Sequence, residues 1–359
     1  MRIDRLFSRK RTILYLMYLM IFFIFWSLCG FFAAVVLTSV IILVNIFLFF
    51  LKKLQINQFN FPCEALLISA PKELRLEYFI NSPSLFGISL EKSAKRFIFD
   101  KEGVIMCDYG GEIKDVIKIH YNPAYVCWFA LINLNRYFNE KNEKYLENFW
   151  KQVNWLEKNR KEINNSNVWY YNFNYKIFGK ELKSPWISAM AQGLAISVFC
   201  RAYKLTAAQK YIEIAKKAAS IFEKETKDGG ICVKINSGNL YQEYPINSIH
   251  VLDGFIFSLL GLYDLYLATK EEKYYDLFMK GINGLVNNLE KWDFKGYWSR
   301  ATWHGIPLNG MYNKLNVILL EVLYYITNLR IFYDFAKKWS PDNLSIKKRL
   351  ILILYWFFI

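Results

Sequence analysis

The run Glu243-Tyr244-Pro245, within "YQEYPINSIHVLDGF", sets a carboxylate beside a phenol in a turn-rich stretch between strongly apolar segments. Farther along, Tyr297 and Arg300 stand in "GYWSR" and Tyr312 in "MYNKLN". Acid, phenol and guanidinium together suit proton transfer beside a carboxylate. A phenol or carboxyl group can carry the proton, and the planar guanidinium fork matches carboxylate oxygens. A phenol ordinarily titrates near 10, so using one as a base calls for a neighbouring cation. Taken singly, Tyr244 is equally well a packed loop aromatic and Arg300 a solvated cation.

The elements that must hold these residues are helical. From about Asn122 onward the apolar residues recur with helical periodicity, and the tyrosines expose an internal repeat. Tyr137 and Tyr145, Tyr203 and Tyr211, Tyr266 and Tyr274, and Tyr325 and Tyr333 each lie eight residues apart and bracket a short polar junction. Each pair predicts the turn of an antiparallel helical hairpin, with the tyrosines in the core. Four hairpins in series predict a mainly α chain, an α/α toroid closed from about four hairpins.

In such an array every connection from one hairpin to the next emerges at the same end. Those connections, about 161–184, 225–250 and 291–311, are long, aromatic and charged, and their convergence predicts a cleft. Trp169, Tyr170, Tyr171 and Trp298 would offer flat faces to sugar rings, although packing the loops explains any one of them as well. Ser184-Pro185 reads as an N-cap with proline at the first helical position. That would bring Trp186, Ser188 and Gln192 to the rim, with Gln192 able to bond a sugar hydroxyl or a loop carbonyl.

Several motifs in this order, "NPAYVCWFAL", "PWISAMAQG", "YQEYP", "VLDGFIFSLLGLYDL", "YWSR" and "MYNKLN", resemble the C-terminal domain of glucuronyl C5-epimerases over roughly 122–338. The resemblance implies an α/α-barrel catalytic domain beside a β-rich part, commonly a homodimer, inverting carbon 5 of a hexuronic acid in a glycan without a redox cofactor. It implies Tyr244 and Tyr312 as the opposed proton carriers. Glu243 would hold or deprotonate one of them or act as the base itself, Arg300 would sit at the substrate carboxylate, and Tyr297 would donate to the developing enediolate. Trp186, Gln192, Trp169, Tyr170, Trp298 and Asn313 are the expected substrate-binding residues. Two departures stand out: Asn313 and Asn316 occupy positions where the family usually has histidines, and Asp253 replaces an asparagine. Asparagine still hydrogen-bonds but cannot titrate.

Three other chemistries remain open. Abstraction of the same proton followed by loss of the carbon 4 substituent would make a lyase. Hydrolysis would need a second carboxylate beside Glu243, from Asp228 or Asp293. A scaffold that only binds an acidic glycan would not need opposed phenols.

Composition bounds the rest. Of the 359 residues 54% are hydrophobic, high for a soluble domain, and no charged residue occurs from Ile13 to Leu51. That run is roughly twice one bilayer crossing, which predicts a two-span hairpin turning near Ser27 to Gly30. Arg2, Arg5, Arg9, Lys10 and Arg11 before it and Lys52 and Lys53 after it place both flanks, and the catalytic part, on the cytoplasmic side. One long tilted helix with the body outside is the alternative. The expected division is an anchor (1–53), a small β-rich segment (54–118), the α/α domain (119–340) and a basic, apolar tail (341–359). The tail, Lys347-Lys348-Arg349 followed by "LILILYWFFI", covers about half a bilayer crossing and reads either as an interfacial anchor or as the start of a span.

The net charge of +15 fits anionic lipid, an acidic glycan or a lipid-linked uronate. No nucleic-acid motif accompanies it. Six cysteines without C-x-x-C spacing and three scattered histidines predict no metal site, and no cofactor is expected.

Overall fold

The computed structural model describes residues 17–24, 26–27, 30–54, 62–63, 76–77, 97–109 and 119–358. The chain divides into two compact units, 56–344 and a second made of 1–55 with 345–359. In chain order the elements begin with α1 (Phe31–Leu54), the paired β1 (Pro62–Cys63) and β2 (Leu76–Glu77), β3 (Phe97–Phe99), β4 (Ile105–Asp108) and β5 (Ile119–His120). Then come α2 (Pro123–Glu140), α3 (Glu143–Asn159), β6 (Lys161–Ile163), β7 (Ser166–Val168), β8 (Tyr175–Ile177) and β9 (Lys180–Leu182). Next are α4 (Ala189–Thr206), α5 (Gln209–Ala219), β10 (Cys232–Ile235), β11 (Gly238–Tyr241), α6 (Leu252–Thr269) and α7 (Glu272–Val286). The chain continues through β12 (Asp293–Phe294), β13 (Trp298–Ser299), α8 (Gly310–Thr327), α9 (Arg330–Trp339) and α10 (Ile346–Phe358).

The larger unit is mainly helical, and its helices pair as α2–α3, α4–α5, α6–α7 and α8–α9. Each first helix stops the same way. Lys141, Ala207, Lys270 and Asn328 take left-handed conformations (φ 55°, 56°, 60° and 55°) and donate their backbone N–H to the carbonyls of Tyr137, Tyr203, Tyr266 and Tyr324. A left-handed cap ends the helix while satisfying a terminal carbonyl, so the next helix can start within two residues. The cap corrects the fourth copy. Its repeat positions are Tyr324 and Phe332, whose N–H reaches Leu329 O (3.1 Å) as that of Tyr211 reaches Ala208 O (3.1 Å). Tyr325 and Tyr333 lie one residue out of register and are exposed. Of the tyrosines expected in the core, Tyr211 and Tyr274 are fully buried, whereas Tyr137, Tyr145, Tyr203 and Tyr266 are only half-buried.

The first helices of the hairpins lie side by side in the order α2, α4, α6, α8. α4 and α6 approach most closely, because Gly193 faces Ser258 and Gly261 faces Gly193 with no room for a β-carbon on either glycine. The same seam buries an ion pair, Arg201 Nη1 to Asp264 Oδ2 at 2.7 Å, and Arg201 also donates to Ser197 O at 2.9 Å. α8 meets α6 over a much shorter stretch, and among the described residues α8 and α2 share no substantial packing. α6 is long and apolar enough to cross a membrane, yet two-thirds of it is buried as a core helix.

The three connections between hairpins return to the end where α2, α4, α6 and α8 begin, and each carries antiparallel ribbons: β6–β7 and β8–β9, β10–β11, and β12–β13. The β-rich region includes the antiparallel sheet β3–β4–β5. Its expected Asp100-to-Gly103 turn is present: Asp100 Oδ1 accepts from Glu102 N (2.9 Å) and Val104 N (2.8 Å), and Gly103 sits at φ +79°. In the smaller unit α10 packs on α1. Of the expected first membrane span, Ile13 to about Ser27, residues 13–16 and 25 lie outside the described residues. What they give is helical residues at 17–24 and 26–27 and, after Gly30 (φ +84°), the single 24-residue α1 rather than two delimited spans.

Candidate active site

Glu243 and Tyr244 leave β11 at the end of the array where the first helices begin. Their position is fixed from behind: Gln242 O accepts from Ala189 N at the start of α4 (2.9 Å), and Gln242 N donates to Ile231 O (2.8 Å). The Glu243 side chain lies against Gly254, where a β-carbon would collide with its carboxylate. Asp253, the residue before that glycine in the first turn of α6, is thereby brought to Glu243.

Two carboxyl groups crowded among protein atoms cannot both ionise easily. Burial raises Glu243 to about 8, and the charge of Asp253 adds to the effect. Asp253 is raised to about 6 by burial, against backbone N–H groups at the helix start that favour its charged form. Tyr244 and Glu243 share a hydrogen bond. Burial first, and Glu243 second, push the Tyr244 phenol well above its ordinary value. This reverses the expectation of a phenol lowered by a guanidinium: the groups acting on Tyr244 are Glu243, Tyr175 and Tyr171, none of them a cation. Tyr244 therefore stands as a neutral donor, and the carboxyl pair is the better proton acceptor.

An aromatic wall adjoins the pair. Trp186 stacks on Tyr171 with centroids 4.0 Å apart and lies 5.9 Å from the Tyr244 ring, while Tyr175 is 6.1 Å from both Trp186 and Tyr244. A bridge between Tyr171 and Trp186 keeps residues before α4 extended. The helix is therefore capped by Ser188, whose Oγ accepts from Ala191 N at 3.5 Å, and not by Ser184. Behind the wall Tyr171 OH donates to Asn122 Oδ1 (3.0 Å), which also caps α2 through Tyr125 N (3.2 Å), and Asn122 Nδ2 donates to Tyr109 OH (2.8 Å).

The other expected residues fall into two groups. Tyr297, Arg300 and Tyr312 belong to the fourth hairpin and the loop before it. Arg300 Nε donates to Asp293 O (2.9 Å) and Nη1 to Gly305 O, with the guanidinium 4.9 Å above the Phe294 ring. Nη2 is the nitrogen not used this way. Tyr297 is buried against Phe294, and Tyr312 lies half-buried in the first turn of α8, its N–H on the Asn309 cap (3.0 Å). Asp293, a possible second carboxylate for hydrolysis, accepts from Trp339 Nε1 (2.6 Å) and pairs with Lys338, and Asp228 is exposed in a turn.

Four expected substrate contacts are turned inward. Gln192 is fully buried with both amide atoms engaged, accepting from Trp169 N (3.1 Å) and donating to Asn167 O (2.9 Å). Trp169 donates to Leu156 O (2.8 Å) and stacks on Phe199, and Trp298 donates to Leu308 O (2.6 Å), both rings being almost wholly enclosed. Asn313 accepts from Ser299 N and Oγ (both 2.8 Å) and donates to Trp339 O (2.9 Å), tying the loop to α8 and α9. These side chains hold the fold and present no face to a sugar. Trp186 touches Tyr244 as described, and Tyr170 is half-buried against the core. Asp253, Tyr175 and the Asn122 network were missed as site residues. An acid in a first helical turn reads as a complement to the helix dipole, and only the return of the chain shows it meeting Glu243.

Residues 163–341 match the family described as D-glucuronyl C5-epimerase C-terminus. Among particular proteins, the D-glucuronyl C5-epimerase of Caenorhabditis elegans is 30% identical over 177 residues, 45% of this chain and 28% of the relative's length. Two solved structures resemble the chain more distantly, at 11% identity each. They are a D-mannose isomerase (TM-score 0.44; 60% of this chain and 56% of that one) and a family 76 α-mannanase of Bacteroides thetaiotaomicron (TM-score 0.47; 72% and 74%).

Proposed function

We propose that the chain inverts carbon 5 of a hexuronic acid residue in a glycan, converting glucuronate-type to iduronate-type configuration. The observation that carries this reading is the Tyr244–Glu243–Asp253 cluster beside an aromatic wall, inside the segment of matching family. The C5–H bond breaks toward one face, its electron pair moves into the adjacent carboxylate to give an enediolate, and a proton returns to C5 from the other face. The step is redox-neutral and calls for no redox cofactor.

Glu243, sharing a proton with Asp253, is the acceptor on one face, and Tyr244 hydrogen-bonds it and keeps its orientation. Tyr312 is assigned to the opposite face. Arg300, through Nη2, and Tyr297 are assigned to the substrate carboxylate, where the second negative charge develops and fixed donors have most effect. The shared proton also limits repulsion between the carboxyl pair and the anionic sugar. Trp186, Tyr175 and Tyr170 would line the ring. The enzyme would work at the cytoplasmic face of a membrane on a nascent or lipid-linked glycan.

The test is NMR of uronate glycans incubated in deuterated water with the wild-type protein, Glu243→Gln and Arg300→Ala. Deuterium at C5 together with iduronate-type signals, both lost in the variants, is the expected result. Unsaturated ends would establish elimination instead, and binding without exchange across non-sulfated, sulfated and lipid-linked uronates would establish a glycan-binding scaffold.

A further inference from the structure

Helix α1 is apolar on every side. Up to Ile41 its half-covered or covered residues, Ala33, Ala34, Leu37, Thr38 and Ile41, recur at helical spacing as one stripe, and other apolar side chains stay open, Phe32 at 82% and Leu43 at 62% exposure. A soluble helix keeps a polar face toward water, and α1 has none. Two of its polar side chains are satisfied within the helix: Thr38 Oγ1 donates to Ala34 O (2.8 Å) and Asn45 Nδ2 to Ile41 O (2.9 Å). That is what a hydrocarbon environment requires. At 24 residues α1 measures about 36 Å, enough for a core of about 30 Å.

Helix α10 packs on α1, with Leu352 and Ile353 buried and Leu350 and Leu354 left exposed. Its first turn carries Lys347, Lys348 and Arg349. Cations there oppose the helix dipole, so the helix itself does not explain them. α1 ends on Lys52 and Lys53. The basic end of each helix is the end joined in sequence to residues 56–344. Anionic lipid headgroups complement both clusters.

We propose that α1 and α10 form one two-helix membrane element, α10 entering the bilayer beside α1 from the same anionic surface, so that the catalytic unit is tethered at both of its ends. The 13 residues of α10 reach about 20 Å into the bilayer. This rests on the membrane reading above.

The test uses the full chain in brominated phosphatidylcholine vesicles with and without phosphatidylglycerol. An environment-sensitive fluorophore is placed at Val40→Cys or Leu354→Cys, and unsubstituted protein is carried through labelling as the blank. Bromine quenching at both positions is expected. Lys347→Gln, Lys348→Gln and Arg349→Gln should weaken entry of α10 into the anionic vesicles about five-fold per charge removed, sparing position 40. Quenching at 40 alone would overturn the proposal while leaving α1 as an anchor. Quenching at neither would overturn the membrane reading as well, and vesicle-independent self-quenching between labelled chains would assign these faces to a second copy.

Discussion

The seam between α4 and α6 and the seam between α6 and α8 are built from the same kind of helix and differ in how they close. At the first, Gly193 and Gly261 remove the side chains that would hold the backbones apart, and Arg201–Asp264 locks the register. At the second, α8 touches α6 over a short stretch, and its loop is held from its own side by Asn313, Trp339 and the carbonyls around Arg300. The carboxyl pair stands on the tight seam, while Arg300, Tyr297 and Tyr312 stand on the hairpin behind the loose one. Groups that need fixed burial to raise a carboxyl pKa gain from a rigid seam. The residues proposed to meet the substrate carboxylate stand where that support is thinner.

This contrast can be broken at several points. Glu243→Gln should lower C5 exchange by about 10²–10⁴-fold, the range for loss of a positioned acid or base, with little change in melting temperature; an active variant would remove Glu243 from the chemistry. Arg201→Met removes the buried cation paired with Asp264 and should cost about 3–5 kcal/mol in denaturant unfolding, which Asp264→Leu in the same chain should largely restore. Gly261→Ala should cost about 1–3 kcal/mol by forcing α4 and α6 apart. It should also lower activity by disturbing Glu243. A variant as stable as wild type would show that the seam can relax.

Protonation gives a finer probe. With Glu243 raised to about 8, a rate that needs its ionised form should climb toward that pH, and Asp253→Asn, which removes the neighbouring charge, should move the midpoint to lower pH. Stability should run the opposite way. The unfolded chain releases the Glu243 proton in the ordinary carboxylate range while the folded one keeps it, so this contribution is complete below about 4.5 and is lost as pH rises through about 8. Tyr325→Ser, at an exposed position on the loosely joined hairpin, should change stability by no more than about 0.5 kcal/mol.

Much of the layout was legible in the amino-acid pattern. The eight-residue tyrosine spacing located all four hairpin turns, because a helix of fixed period closed by a left-handed cap repeats its landmarks. It slipped by one where Tyr324 and Tyr325 stand side by side, since spacing alone does not say which tyrosine carbonyl receives the cap. "PWISAMAQG" and "VLDGFIFSLLG" marked Gly193 and Gly261, though not that they face each other. The candidate site was half visible. Glu243 and Tyr244 are neighbours in sequence, but Asp253, Trp186 and Tyr175 reach them only through folding.

The sequence by itself determined the helical hairpins, their order, the end at which the long connections gather and the family match of residues 163–341, because helical periodicity, turn chemistry and motif order are local or one-dimensional properties. Tertiary structure alone decided which polar groups face one another and which are consumed in the fold. Gln192, Trp169, Trp298 and Asn313 have side chains suited to a sugar and are spent on carbonyls and loop amides. Asp253, which in sequence only begins a helix, adds its charge to the burial that raises the proton affinity of Glu243. Burial and charge proximity are sums over everything that surrounds a group, and those surroundings exist only once the chain has closed on itself.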